Sequence, residues 1–315
     1  MLLAVSARSG VAQPAAPARY WVTLRDKQGV RFAPQRYFSP QAQARRRRQH
    51  LPAYEASDLP LRPDYVAAIA ARVDTITLVS RWFNAVACRA TPAQAAQLRA
   101  LPGVRSVEPW PATLKASAAS RNLKQPGVPG PKSLSPQPKE GVSQAPKPLQ
   151  ANDYLLARRQ TAYLDEPTLR RARLDGKGLR IAIFDVGFEG LPGHPAFQAL
   201  VNERRIVATH DFLKNRPDVF RGGSHGIEVL ACLAGRLPAG PGGEAGPALG
   251  LAPAAEYLLA RTEQLHRERY AEEEAWLAAA EWADREGADI INSSLAYTEQ
   301  RYFPEHMDGR RSLIA

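Results

Sequence analysis

Two short segments of the chain carry side chains suited to acid–base chemistry. In Ile181-Ala182-Ile183-Phe184-Asp185-Val186-Gly187 a brief apolar run delivers a carboxylate and then a glycine. A run this short is the pattern of a strand buried on both faces, and active sites in open α/β sheets form at the C-terminal ends of such strands. Asp185 could equally cap the turn that follows. In Gly222-Gly223-Ser224-His225-Gly226 an imidazole stands between glycines, directly ahead of the apolar stretch Ile227-Glu228-Val229-Leu230-Ala231-Cys232-Leu233-Ala234. Such glycines let another part of the chain come close to the ring, although a single histidine is more often a packed or surface residue. Carboxylate and imidazole are side-chain types that move protons in general acid–base catalysis.

The elements that would position these groups alternate between strand and helix. After Tyr154 the pattern predicts a helix over 164–174, strands over 181–184, 206–208, 256–260 and 290–294, and a buried helix over 227–233. A long helix is expected over about 267–286, with Trp276, Ala279, Ala280 and Ala283 on one face and Gly287 past its end. This alternation predicts an α/β unit, an open parallel sheet with helices on both faces. Residues 20–110 read differently, as strand, helices, strand, strand, helix, strand, the split βαββαβ order of a small α+β domain. Its helix starts are marked by Ser39-Pro40 and Thr91-Pro92, a capping side chain followed by proline at the first helical position. Between the two units, 111–150 is rich in Pro, Gly, Ser, Lys and Gln without apolar periodicity, so a disordered linker is expected. The division is therefore 1–19, 20–110, 111–150 and 151–315.

The 315 residues carry 42 Lys and Arg against 31 Asp and Glu, a formal charge of +11. The one dense basic block, Arg45-Arg46-Arg47-Arg48, has no interleaved aromatics and no zinc-knuckle spacing, so it is expected on a solvated helix face and no nucleic-acid partner is expected. The six histidines include no His-Glu-x-x-His, which argues against a metallohydrolase. No cofactor is expected, with calcium left open. Cys88 and Cys232 form no CxxC pair and are expected as free thiols in packed surroundings. Residues 1–19 are read as the remnant of a signal peptide that lacks a basic start. No stretch approaches the roughly 20 apolar residues of a membrane span.

Taken in order, the segments resemble the subtilisin-like serine peptidases. That family shows Asp-[Ser/Thr]-Gly after a strand, His-Gly-Thr opening a helix, Gly-[Val/Ile]-Ala-Pro, an Asp-Val-Ile-Asn-x-Ser-Leu-Gly strand and, near its end, Gly-Thr-Ser-x-Ala. The first four have counterparts in Asp185-Val186-Gly187, His225-Gly226-Ile227, Gly250-Leu251-Ala252-Pro253 and Asp289-Ile290-Ile291-Asn292-Ser293-Ser294-Leu295-Ala296. Residues 98–108 look like the end of the family's inhibitory propeptide, and Tyr37-Phe38-Ser39-Pro40 and Met307-Asp308-Gly309-Arg310 suggest a bacterial branch. The resemblance implies a serine endopeptidase with an Asp-His-Ser triad, in which Asp185 and His225 are the first two members. Ser293, Ser294, Leu295 and Ala296 would then pair with the backbone of a polypeptide substrate. It also implies a zymogen whose own propeptide domain is a partner, and a secreted or extracytoplasmic protein. The alternative is a truncated, non-catalytic relative acting as inhibitor or chaperone through its propeptide-like domain.

Val186 stands where the family has Ser or Thr, Ile227 where it has Thr, and Ala296 where it has Gly, a methyl that could crowd a bound peptide. No Gly-Thr-Ser-x-Ala segment occurs, and neither Ser293, Ser294 nor Ser312 opens a helix in such a motif. The chain is therefore expected to be a fragment with an incomplete core, inactive as written. Limited proteolysis is expected to cut first within 111–150, which has nothing to bury. Mass spectrometry of the earliest fragments checks this, and first cuts clustered in 20–110 would contradict it.

Overall fold

The computed structural model describes residues 16–110, 149–239, 246–264 and 270–294. Of the expected leader and linker, 1–15 and 111–148 lie outside this set, as do Leu295 and Ala296. The chain divides into two compact units, and the first is discontinuous in sequence. It joins the described residues up to 110 with those of 270–287.

The first unit is built on an antiparallel sheet of β1 (Ala18–Leu24), β2 (Thr75–Ser80), β3 (Ala85–Ala90) and β4 (Val104–Pro109), ordered β2-β3-β1-β4. Its helices are α1 (Pro34–Tyr37), α2 (Pro40–Arg48), α3 (Pro63–Ala70) and α4 (Pro92–Arg99). The two cap signals work as expected. Ser39 Oγ accepts from the Ala42 amide at 3.1 Å, and Thr91 and Gln94 form a reciprocal capping box. Val22, Leu24, Ile69, Val86, Cys88 and Leu98 make the core between sheet and helices. Phe83 and Asn84 lie in the turn before β3, where Asn84 takes a left-handed φ of 48° and Phe83 is exposed.

The helix of 270–286 completes this unit. Here it is α9 (Tyr270–Glu286), which packs Ala279, Ala280 and Ala283 inward, and Gly287 follows at φ 84° as the C-terminal signal required. The Glu281 carboxylate of α9 accepts from Ser80 Oγ at 2.6 Å and from the amides of Arg81 and Trp82 at 3.2 Å. It thereby satisfies donors that the β2–β3 turn would otherwise bury unpaired. The Arg81 guanidinium pairs with Asp284 at 2.8 Å and with Asp58 at 2.9 Å.

The solvated-face expectation for the arginine block holds only for Arg47 and Arg48, which are exposed. Arg46 is buried, pairs with Asp58 at 2.7 Å and lies over the Phe38 ring, while Arg45 pairs with Asp284. A run of like charges hid the fact that one turn of α2 points two of its four members inward, where acids from distant segments wait.

The second unit holds a parallel sheet of β5 (Arg180–Asp185), β6 (Ile206–Asp211), β7 (Glu256–Arg261) and β8 (Ile290–Ser293), ordered β6-β7-β5-β8. Its helices are α5 (Ala151–Ala162), α6 (Glu166–Arg171), α7 (Gln198–Asn202) and α8 (His225–Ala234). α8 sets Leu230 and Ala234 against Ile181, Ile183, Tyr257 and Leu259 of the sheet. Of the helix expected over 164–174 only α6 forms, following Asp165 at φ 57°, and α5 lies ahead of that span, where no helix was expected. α5 leaves Leu155 and Leu156 exposed, so its apolar residues gave no clear helical stripe.

Both cysteines are free thiols, as expected, but only Cys88 is packed. Cys232 is exposed on α8. No helix among the described residues is long and apolar enough to cross a membrane.

Replacing Asp58 by alanine would leave the Arg46 and Arg81 guanidinium groups buried without their shared acceptor. Breaking a buried pair by removing one partner costs about 3–5 kcal/mol, and urea unfolding of Asp58→Ala is expected to show a loss in that range. A loss below about 1 kcal/mol, the level of an exposed pair, would contradict it.

Candidate active site

Asp185 ends β5, and His225 opens α8, so both reach the edge of the parallel sheet formed by its strand C-termini. Three main-chain hydrogen bonds tie the turn after β5 to the segment leading into α8. Phe188 N–H donates to Val219 O at 3.0 Å, Glu189 N–H to Gly223 O at 3.0 Å and Gly226 N–H to Gly187 O at 3.2 Å.

That approach depends on two glycines. A β-carbon on Gly226 would lie 2.5 Å from the Gly187 carbonyl oxygen and 2.7 Å from the Phe188 ring. Gly187 itself adopts φ 149°, and a β-carbon there would meet the Arg221 carbonyl oxygen at 2.3 Å. Gly226 and Gly187 thus let these two stretches of main chain approach closely.

The two side chains meet. His225 Nδ1 is 3.0 Å from each carboxylate oxygen of Asp185. An ionised carboxylate only accepts, so Nδ1 carries the proton and Nε2 is left to accept one. Asp185 is fully buried, whereas the His225 side chain is 48% exposed. Among the described residues nothing bonds to Nε2. Burial pushes the Asp185 carboxyl above the usual carboxylate range, and the bonds from His225 and from the Val186 amide partly oppose that rise. The Val186 amide donates to Asp185 Oδ1 at 2.8 Å. The main chain of Val186, whose side chain has no hydroxyl, therefore supplies a donor to the carboxylate.

Ser293 lies in β8 beside Phe184 of β5, one residue short of Asp185 in the parallel register, and Ser294 is exposed just beyond. The Ser294 hydroxyl accepts from the Asn292 side-chain amide at 3.2 Å. Leu295 and Ala296 fall outside the described residues. The segment Gly250-Leu251-Ala252-Pro253 lies at the far end of α8 from His225. There a β-carbon on Gly250 would strike the Leu233 carbonyl carbon at 2.1 Å, and Ala252 N–H bonds to Leu233 O. Its role is to seat the helix.

Arg261, at the end of β7, escaped notice in the sequence because it looks like the polar terminus of an ordinary buried strand. It is buried and faces Asp185 in the register. A cavity of about 610 Å³ lies elsewhere, lined by α5, α6 and residues 246–253, and includes neither Asp185 nor His225. Among the described residues no cluster of three or more His, Cys, Asp or Glu could hold a metal ion.

Residues 19–125 match the family model of the peptidase S8 propeptide domain of Bacteroidota. The match supports a subtilisin-like peptidase N-terminus for the chain. No curated protein matches it.

Two substitutions test the geometry. Helix propensity favours alanine over glycine by about 1 kcal/mol. At Gly226 the new methyl meets a backbone carbonyl that no rotamer change can relieve, so the overpacking cost of about 1–3 kcal/mol prevails. Gly226→Ala is therefore expected to lower stability in urea, and a stabilised variant would contradict the close approach.

For Asp185, a folded-state pKa above the unfolded value means that the folded protein binds the proton more tightly. The resulting penalty is absent below the unfolded pKa of about 3.9 and is complete once the pH exceeds the folded value. The stability of Asp185→Asn relative to the parent is therefore expected to increase from pH 3.5 to pH 7. A relative decrease over that range would show that pairing with His225 outweighs burial.

Proposed function

We propose that the chain is the N-terminal part of the precursor of a subtilisin-type serine endopeptidase, with Asp185 and His225 as two members of its triad. The observation that carries this is the Asp185–His225 contact at the C-terminal edge of a parallel sheet, downstream of a stretch matching an S8 propeptide. In this role His225 takes the nucleophile's proton at Nε2 and returns it to the leaving amine. Asp185, through Nδ1, holds the tautomer and offsets the imidazolium charge. The half-exposed ring beside a buried acid suits that division.

A polypeptide substrate would add its backbone as a strand along Ser293, Ser294, Leu295 and Ala296. The N-terminal unit would serve as intramolecular partner, and the precursor would be exported from a bacterial cell. No metal or other cofactor is assigned a step. Because the family match covers only the propeptide region, a non-catalytic inhibitor or chaperone is the second role to test.

The 315-residue chain alone is expected not to hydrolyse unfolded casein. A longer product carrying a Gly-Thr-Ser-x-Ala segment is expected to do so, and to be silenced by a serine-directed phosphonate. In that product Asp185→Asn should lower kcat by about 10⁴-fold, the scale of losing the ring's orienting acid. Casein turnover unchanged by Asp185→Asn and by His225→Ala would overturn the assignment. Tight binding to an active subtilisin-like peptidase without any turnover by the longer product would favour the second role.

A further inference from the structure

We infer that Arg261 is a positioning residue for the Asp185–His225 pair, an inference that rests on the function proposed above. Arg261 is the last residue of β7 and lies opposite Asp185 in the parallel register. Its Nε donates to the Val186 carbonyl at 2.7 Å, and one terminal nitrogen donates to Asp211 Oδ2 at 3.0 Å. A β-carbon on Gly222 would fall 2.6 Å from the guanidinium carbon, so the flat group lies directly on that glycine's backbone. One buried side chain thus touches the residue after Asp185, the acid that ends β6, and the chain leading into His225. The next residue continues the link, for Thr262 N–H donates to the Asp185 carbonyl at 3.1 Å.

The chemistry requires arginine. A planar fork donates along two directions while its face receives a backbone, whereas a lysine ammonium is a point charge without a face. The charge is compensated where it lies. Asp211 is completely buried and also accepts from the amides of Leu213 at 3.0 Å and Lys214 at 3.1 Å, with Arg216 Nε at 3.4 Å. An ion pair needed only for stability could sit anywhere in the core. Here the same guanidinium also contacts Val186 and Gly222, on the two segments whose separation sets the length of the Asp185–His225 hydrogen bond.

The test reads the His225 ring directly by nitrogen-15 NMR of the full 315-residue chain, with the Nδ1–H signal assigned by its loss in His225→Gln. Arg261→Lys is expected to accelerate exchange of that proton with water at least tenfold while the far-ultraviolet circular dichroism is unchanged. The double variant Arg261→Met with Asp211→Leu leaves no buried acid unpaired and is expected to show the same acceleration. It decides the matter should the lysine variant fail to fold. Exchange within twofold of the parent in the folded variants would overturn the inference. Asp185→Asn in the same spectra must shift the Nδ1 signal. If it does not, the pairing itself is absent and the proposed function falls with it. If only the Arg261 variants are silent, that function stands and the positioning role does not.

Discussion

The second unit turns on a contact in which there is no room for a side chain. The turn after β5 and the first turn of α8 come close enough for the Gly226 amide to bond to the Gly187 carbonyl, and a methyl at either glycine would strike backbone oxygen. From that approach follow the short Asp185–His225 distance, the burial of the carboxylate and the exposure of the ring. Packing of α8 on the sheet brings it beside β5 in the adjacent layer, but such packing fixes positions only to within a side chain's width. The glycines supply the remaining accuracy, which an acid and a base acting together require.

Both units place ionised groups where water cannot reach, and both meet the cost by convergence. Asp58 serves Arg46 and Arg81, Glu281 closes three donors of one turn, and Asp211 collects Arg261 together with two main-chain amides. A buried pair of this kind gives little net stability compared with apolar packing. What it gives is orientation, because each partner fits in one geometry alone. In the first unit that orientation fixes how α9 meets the β2–β3 turn, and in the second it fixes the sheet edge.

Much of this was legible in the sequence. The strand ending in Asp185, the glycine-flanked His225, the two capped helix starts and the glycine after α9 are local signals, each with a mechanism in the residues themselves. What could not be read depends on partners distant in sequence. Arg45 and Arg46 look like solvent-facing charges until Asp284 and Asp58 are placed beside them, and Arg261 looks like a strand terminus until Val186, Asp211 and Gly222 surround it. The donor that the Val186 amide gives the Asp185 carboxylate was invisible because residue type says nothing about where a main-chain N–H points. α5 was missed for another reason, since its exposed leucines blur the period by which helices are recognised.

The discontinuity of the first unit also constrains the order in which the molecule can be made. Ser80 and Glu281 are separated by 201 positions. A ribosome adding roughly 5–20 residues per second needs about 10–40 s to cover such a distance. Throughout that interval the β2–β3 turn has emerged with its donors still facing water, and the N-terminal sheet cannot bury them until the α9 sequence leaves the exit tunnel. The β2–β3 turn, made well before α9, is thus completed only once α9 arrives, and in the interval it offers a charged, unfilled surface for which α9 of the same chain is the occupant.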